Sequence, residues 1–207
     1  KINKLIFLYT LHTQMDQFGE LVLIIGDFHI PMRAHDIPEK FKDLLVPNKV
    51  QNVICTGNVG SKEMTDYLRS LSDNFYMVKG DYDDNTNLPE NKVIQIGKFK
   101  VGIVHGHQIV PWGDDESLAN YARELDCDIL VSGHTHQQKI KSAGGKFFVN
   151  PGSATGAYSS FKTETYPSFI LLEILNSNIK AFIYEHKNGK CQITKGSLID
   201  EQAEENE

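Results

Sequence analysis

Residues 21–30 read LVLIIGDFHI. An unbroken apolar, β-favouring run, Leu21–Ile25, stops at Gly26, and two potential metal donors come next, Asp27 and His29. Such a run marks a strand buried on both faces, as strands of parallel sheets are. The same cadence recurs downstream. Val50–Thr56 runs into Gly57, Phe75–Val78 soon reaches Gly80, and Phe99–Val104 runs into His105 and Gly106. Ile129–Val131 then meets Gly133, and Phe147–Val149 meets Asn150 and Gly152.

Helical patterns lie between several of these runs. Ile37, Phe41, Leu44 and Leu45 share one helical stripe, and Met64, Tyr67, Leu68 and Leu71 share another. Leu118, Ala122 and Leu125 repeat the stripe behind Asp114, Asp115 and Glu116, acids that suit a helix N-terminus. Strands alternating with helices predict βαβ crossovers and a largely parallel sheet. From Ser168 the pattern changes. Phe169–Leu175 and Ile179–Tyr184 flank Asn176-Ser177-Asn178, and Lys187-Asn188-Gly189-Lys190 comes after them, which reads as antiparallel hairpins. The predicted fold is α/β, with these hairpins in a mixed second sheet packed on the first.

The residues just beyond each strand carry the chemistry. The clusters are Gly26-Asp27-Phe28-His29, Gly57-Asn58, Gly80-Asp81-Tyr82-Asp83, His105-Gly106-His107 and Gly133-His134-Thr135-His136. The carboxyl ends of parallel strands share one edge, where ligands bind, so these clusters are expected to converge. Asp27 with His29, and His134 with His136, are i, i+2 pairs that extended backbone would turn to one side. Asp, Asn and His without thiolate suit Zn²⁺, Mn²⁺ or Fe rather than Ca²⁺.

The order of these clusters resembles the calcineurin-like metallophosphoesterase superfamily, with its D-x-H, G-D, G-N-H-E/D, histidine-bearing and G-H-x-H motifs. The resemblance implies a β-sandwich of two mixed sheets flanked by helices, with up to two divalent metal ions. It assigns Asp27, His29 and His136 to one metal, Asp81, His105 and His134 to the other, and Asn58 to the bridging position; His107 is left as a neighbour. Two departures bear on activity. A neutral Asn58 stands where the superfamily's bridging Asp belongs, with Asp81 in place of its Asn. Tyr82 stands where its general-acid His belongs, and a phenol of pKa about 10 is a poor acid at neutral pH. General acid catalysis is worth typically about 10²–10⁴-fold, so efficient turnover is not expected, and Asp83 reads as a solvated remnant.

Longer strings resemble one branch, the small-subunit family of the retromer coat. They include Gly26–Pro31, Cys55–Asn58, Ile103–Gln108, Pro111–Asp114, Ser132–His136 and Asn150–Tyr158. That resemblance implies an endosomal sorting scaffold, cytoplasmic and held to membranes only through partners. Its metal-site face would dock on the α-solenoid subunit, and an apolar patch would recruit regulators. The alternative is a slow Mn²⁺- or Zn²⁺-dependent phosphodiesterase or phosphatase. Ile109-Val110-Pro111-Trp112 reads equally as a packed loop or a partner surface. Leu171 reads as core-facing by itself, but the resemblance puts it with Val110 in the patch. Gly152–Tyr158 has no lysine at phosphate-loop spacing and reads as a plain turn.

Composition bounds the rest. The 207 residues, 40% hydrophobic and 23% charged, suit a single domain, placed at residues 15–199. Residues 1–14 read as upstream or non-native sequence. The five acids of residues 200–207 account for all but one unit of the net charge of −6, marking a solvated acidic tail. No basic stripe exists of the kind nucleic acid or anionic lipid would need, and no apolar run nears the roughly 18–20 residues of a membrane span. Three cysteines without metal-type spacing, Cys55, Cys127 and Cys191, read as reduced thiols of an intracellular chain.

Overall fold

The computed structural model describes residues 19–84, 86–161 and 164–199, so the segment read as upstream and the acidic tail lie outside the described residues. In chain order the first half forms β1 (Glu20–Ile25), α1 (Glu39–Leu44), β2 (Asn52–Cys55), α2 (Lys62–Ser70), β3 (Asn74–Met77), β4 (Asn91–Ile96) and β5 (Phe99–Val104). The second half forms α3 (Asp115–Glu124), β6 (Ile129–Val131), β7 (Gln138–Ala143), β8 (Lys146–Pro151), β9 (Ser168–Leu175), β10 (Asn178–Lys187) and β11 (Lys190–Ile199).

The strands make two mixed sheets, ordered β11-β10-β9-β1-β2-β3 and β4-β5-β6-β8-β7. This α/β sandwich differs from the expected partition. The late hairpins do not form the second sheet; β9 pairs antiparallel with β1, so they extend the first. The second sheet instead grows around β5, β6 and β8, which run parallel. Each sheet therefore has a parallel trio, at one end of the first sheet and in the middle of the second, and antiparallel strands complete it. Strands β4 and β7 escaped the sequence reading because β7 (QKIKSA) and most of β4 (NKVIQI) lie on solvated edges and lack an apolar run.

Between the sheets lies a core of Val22, Ile24 and Ile54 from one side and Ile103, Ile129, Phe147 and Val149 from the other. A second core covers the outside of the first sheet, where Phe41, Met64 and Leu68 meet Leu23, Ile25, Val53 and Cys55. A third, on the outside of the second sheet, packs Leu118 and Ala122 on Val104, Leu130 and Phe148. Strands buried on both faces explain the unbroken apolar runs. Helix α2 starts at Ser61, whose hydroxyl accepts from Met64 N, and α3 starts at Asp114, whose carboxylate accepts from Ser117 N. The first helix is shorter than its stripe. Ile37 precedes it, Leu45 caps it, and Leu44 is exposed.

Cys55 and Cys127 are buried core thiols, and Cys191 is partly buried on β11. No described helix is long and apolar enough to cross a membrane.

Ile54 is fully buried between the sheets. Ile54→Ala is expected to cost about 3 kcal/mol, read as a lowered urea midpoint with an unchanged denaturant slope.

Candidate metal centre

Both parallel trios point their carboxyl ends at one edge, and backbone hydrogen bonds tie the loops there to one another. Asp27 N–H donates to Gly57 O (3.0 Å), His29 N–H to Asn58 O (2.8 Å) and Gly133 N–H to His105 O (2.7 Å). Asp27, His29, Asn58, His134 and His136 all have φ between 50° and 69°, in the left-handed region. The i, i+2 pairs thus converge by a different route from the extended backbone expected. Asp and Asn tolerate this conformation best among non-glycine residues, and His is also enriched there. Phe28, between Asp27 and His29, turns the other way into the outer core.

Two groups of donors result. Ligand atoms of Asp27, His29 and His136 lie within 4.8 Å of one another, as do those of Asp81, His105 and His134. His105 Nδ1 donates to Thr56 O and His136 Nδ1 to Ala157 O, each at 2.7 Å. Both rings therefore turn Nε2 toward the centre, the orientation metal-binding imidazoles adopt. Asp27 Oδ2 accepts from His134 N–H at 2.8 Å, and its Oδ1 faces His136 at 3.6 Å and His29 at 3.8 Å. This donor chemistry fits two transition-metal dications. When bound, they would supply charge stabilisation and a nucleophilic hydroxide.

Asn58 lies between the two groups. Its Oδ1 accepts from Tyr82 N–H (2.9 Å), which fixes the amide with Nδ2 inward. There Nδ2 donates to Asp81 Oδ1 (2.8 Å) and lies 3.1 Å from His105 Nε2. To offer oxygen to a metal the amide would have to turn and release Tyr82. Space is tight: a methyl at Gly80 would lie 2.1 Å from Asn58 Oδ1, and one at Gly133 would lie 2.6 Å from Asp27 Oδ2.

Burial pushes the Asp27 carboxyl up, but the His105 and His136 imidazoles and the His134 N–H outweigh it, holding it below the usual range. Asp81 is likewise desolvated, yet its bonds to His105, His134 and Asn58 hold it well below that range. Burial drives the His29 imidazole down to about 4, with Arg33 and His136 adding to the shift and Asp27 opposing it. Burial also lowers His105, but Asp27 and Asp81 more than compensate and raise it.

Other expected residues have mixed positions. Tyr82 is 62% exposed at the mouth, edge-on to His29 with ring centroids 5.3 Å apart. His107 packs on His105 (5.4 Å) outside both donor groups, and its Nδ1 is buried without a hydrogen-bond partner. Trp112 stands edge-on to His134 at 4.5 Å, and Val110 is 73% exposed. Ile109 does not join them. It is only 4% exposed and packs in the core beneath α3, so the string is part packed loop and part surface. Leu171 is partly buried on β9, opposite Leu23 and Phe182. Leu23 belongs to the outer core of the first sheet, and Ile109 to that of the second. Leu171 and Val110 therefore lie on different sides of the sandwich, not in one patch.

Two supports were not legible as such. Asp83 is no solvated remnant: its carboxylate accepts from Asn58 N (2.7 Å), Gly80 N (2.9 Å) and Val59 N (3.1 Å), bracing two ligand loops. The loop at 152–158 is no plain turn. Ser153 Oγ donates to Asp27 O, Thr155 Oγ1 donates to Phe28 O, and Ala157 O receives His136. The repeated acid in Gly80-Asp81-Tyr82-Asp83 was the available signal for the first, and the hydroxyls of Ser153 and Thr155 for the second.

Residues 21–177 match the model of the calcineurin-like phosphoesterase superfamily domain. Vacuolar protein sorting-associated protein 29 of Schizosaccharomyces pombe is 40% identical over 179 residues, 84% of this chain and 96% of that one. The chain belongs to the vacuolar protein sorting 29 family. Solved members of the family agree in fold. The Entamoeba histolytica protein, crystallised with zinc, is 50% identical with a TM-score of 0.81, covering 86% of this chain and 98% of that one. The Cryptosporidium parvum protein is 41% identical with a TM-score of 0.85, covering 88% and 99%.

Two outcomes test this geometry. Asp83→Ala should cost about 2–3 kcal/mol in chemical denaturation, since its charge-assisted bonds are lost. The same change should weaken zinc binding by about 10–100-fold, as loss of such supports does. In metal-stripped protein, His29 is depressed in the folded state, so below pH about 6.5 the unfolded chain takes up a proton the native one refuses. The stability that neutral His29 contributes is therefore lost as pH falls from about 6.5 toward 4. Relative to wild type, His29→Asn should gain up to about 3 kcal/mol over that window, measured by urea titration at each pH.

Proposed function

We propose that this chain is the small scaffold subunit of retromer, docking its metal-centre face on the α-solenoid subunit. The carrying observation is Tyr82, exposed at the pocket mouth where the superfamily's general acid would stand. Trp112 presents exposed apolar surface on the same rim as the donor groups, and Val110, two residues before it, is exposed as well. Exposed contiguous apolar area of this kind marks partner sites. In this reading Asp27, His29, His136, Asp81, His105 and His134 hold up to two dications, zinc, manganese or iron, which stiffen the docking face. Asn58 lies between them. Regulators use a separate surface on the outside of the first sheet, where Leu171, Phe182, Tyr184 and Ile193 share one face of β9, β10 and β11. The protein works in the cytoplasm and reaches endosomal membranes through its partners.

A second reading, slow metal-dependent hydrolysis of a phosphate ester, is favoured by one observation: both donor groups are complete. It requires activity that disappears in Asp27→Ala and rises in Tyr82→His.

Calorimetric titration with the C-terminal half of the same organism's solenoid subunit tests the main reading. One-to-one binding at micromolar affinity or tighter is expected, and Val110→Asp should weaken it at least tenfold while leaving the melting temperature unchanged. Absence of binding between two folded proteins would overturn the scaffold reading.

A further inference from the structure

Arg33 comes directly after the ligand loop, in a turn whose Arg33 N–H donates to His29 O at 2.8 Å. Its guanidinium carbon lies 4.7 Å from the centre of the Tyr82 ring, and Nη1 donates to Tyr158 O at 2.9 Å. A guanidinium stacked on an aromatic ring and tied at one corner has lost most of its rotamer freedom. Its remaining N–H donors stay in one plane, the geometry that grips a carboxylate or phosphate. Among the described residues no carboxylate lies within ion-pair distance of Arg33; Asp27 is engaged by His134, and Asp81 by Asn58 and His105. Arg33 lines the same cavity, of about 350 Å³, as His29, His134, His136, Ser159 and Ser160. That cavity is large enough for an oxyanion and the group that carries it.

We propose that Arg33, seated on Tyr82 and anchored to the Tyr158 carbonyl, is an oxyanion clamp at the mouth of the metal pocket. It captures a phosphate or carboxylate group that enters the cavity lined by His29, His134 and His136. The residue at the acid position has thereby become the seat of a cation: Tyr82 holds the guanidinium that holds the anion. The clamp is a property of the isolated chain, so it stands or falls separately from docking on the solenoid.

The test is an NMR titration of the full, zinc-loaded chain with methylphosphonate and, separately, with N-acetylglutamate. The Arg33 side-chain and Trp112 indole resonances are monitored. Saturable shifts are expected with at least one probe, and Arg33→Gln should weaken that binding at least tenfold. Zinc contributes equally in both proteins, so the ratio reads the arginine. Tyr82→Leu, which removes the seat and keeps the charge, should weaken binding several-fold and serves if Arg33→Gln does not fold. Saturation by methylphosphonate alone supports a phosphate ligand; saturation by N-acetylglutamate supports an acidic side chain of a protein partner. The proposal is overturned if neither probe saturates, or if both variants bind as tightly as the wild type.

Discussion

The carboxylate of Asp27 is the point on which the rest of the site depends. It is fully buried at the edge where the two sheets meet. One oxygen accepts the His134 N–H from the second sheet, and the other faces His136 and His29. The backbone of the same residue donates to Gly57 and accepts from Ser153. Four loops are thus referenced to one residue. A buried charge costs several kcal/mol unless it is paired and hydrogen-bonded, so the carboxylate imposes its partners as much as it recruits them.

The left-handed backbone at Asp27, His29, Asn58, His134 and His136 is the second constraint. Residues held in sparsely populated conformations cost of order 1–3 kcal/mol each and persist where surrounding structure fixes them. Here the fixing structure is visible: the backbone bonds between loops, the brace of Asp83 and the collar of Ser153 and Thr155. The donor groups are consequently held in place by the protein's own hydrogen bonds. Asn58 is held in the same frame: its amide N–H groups lie against Asp81 and His105 in the space between the two donor groups.

Around this centre the rim is built for contact. Tyr82, Trp112, Tyr158 and Phe161 are exposed aromatic side chains lining one cavity, with Arg33 laid on the first of them. Aromatic and arginine side chains bury large area at little conformational cost, which is why they anchor interfaces. Tyr82 presents a flat ring to this rim, edge-on to His29 and under the Arg33 guanidinium.

Local sequence determined the strands with both faces buried, since a continuous apolar run ending in glycine has few other solutions. It also determined which residue types gather at the strand ends, and the exchange of acid for Tyr82. Edge strands β4 and β7 were not legible because half-solvated edges carry no apolar run, and the assignment of hairpins to sheets was not, because pairing is chosen by cores distant in sequence. Only tertiary structure separated Ile109 from Val110 and Leu171 from both, because burial depends on what packs above a residue. It likewise decided that Asp83 braces backbone and that Asn58 turns its nitrogen inward. Those roles are fixed by single hydrogen bonds, to Gly80 and Tyr82 N–H groups among them, that no spacing of residue types encodes.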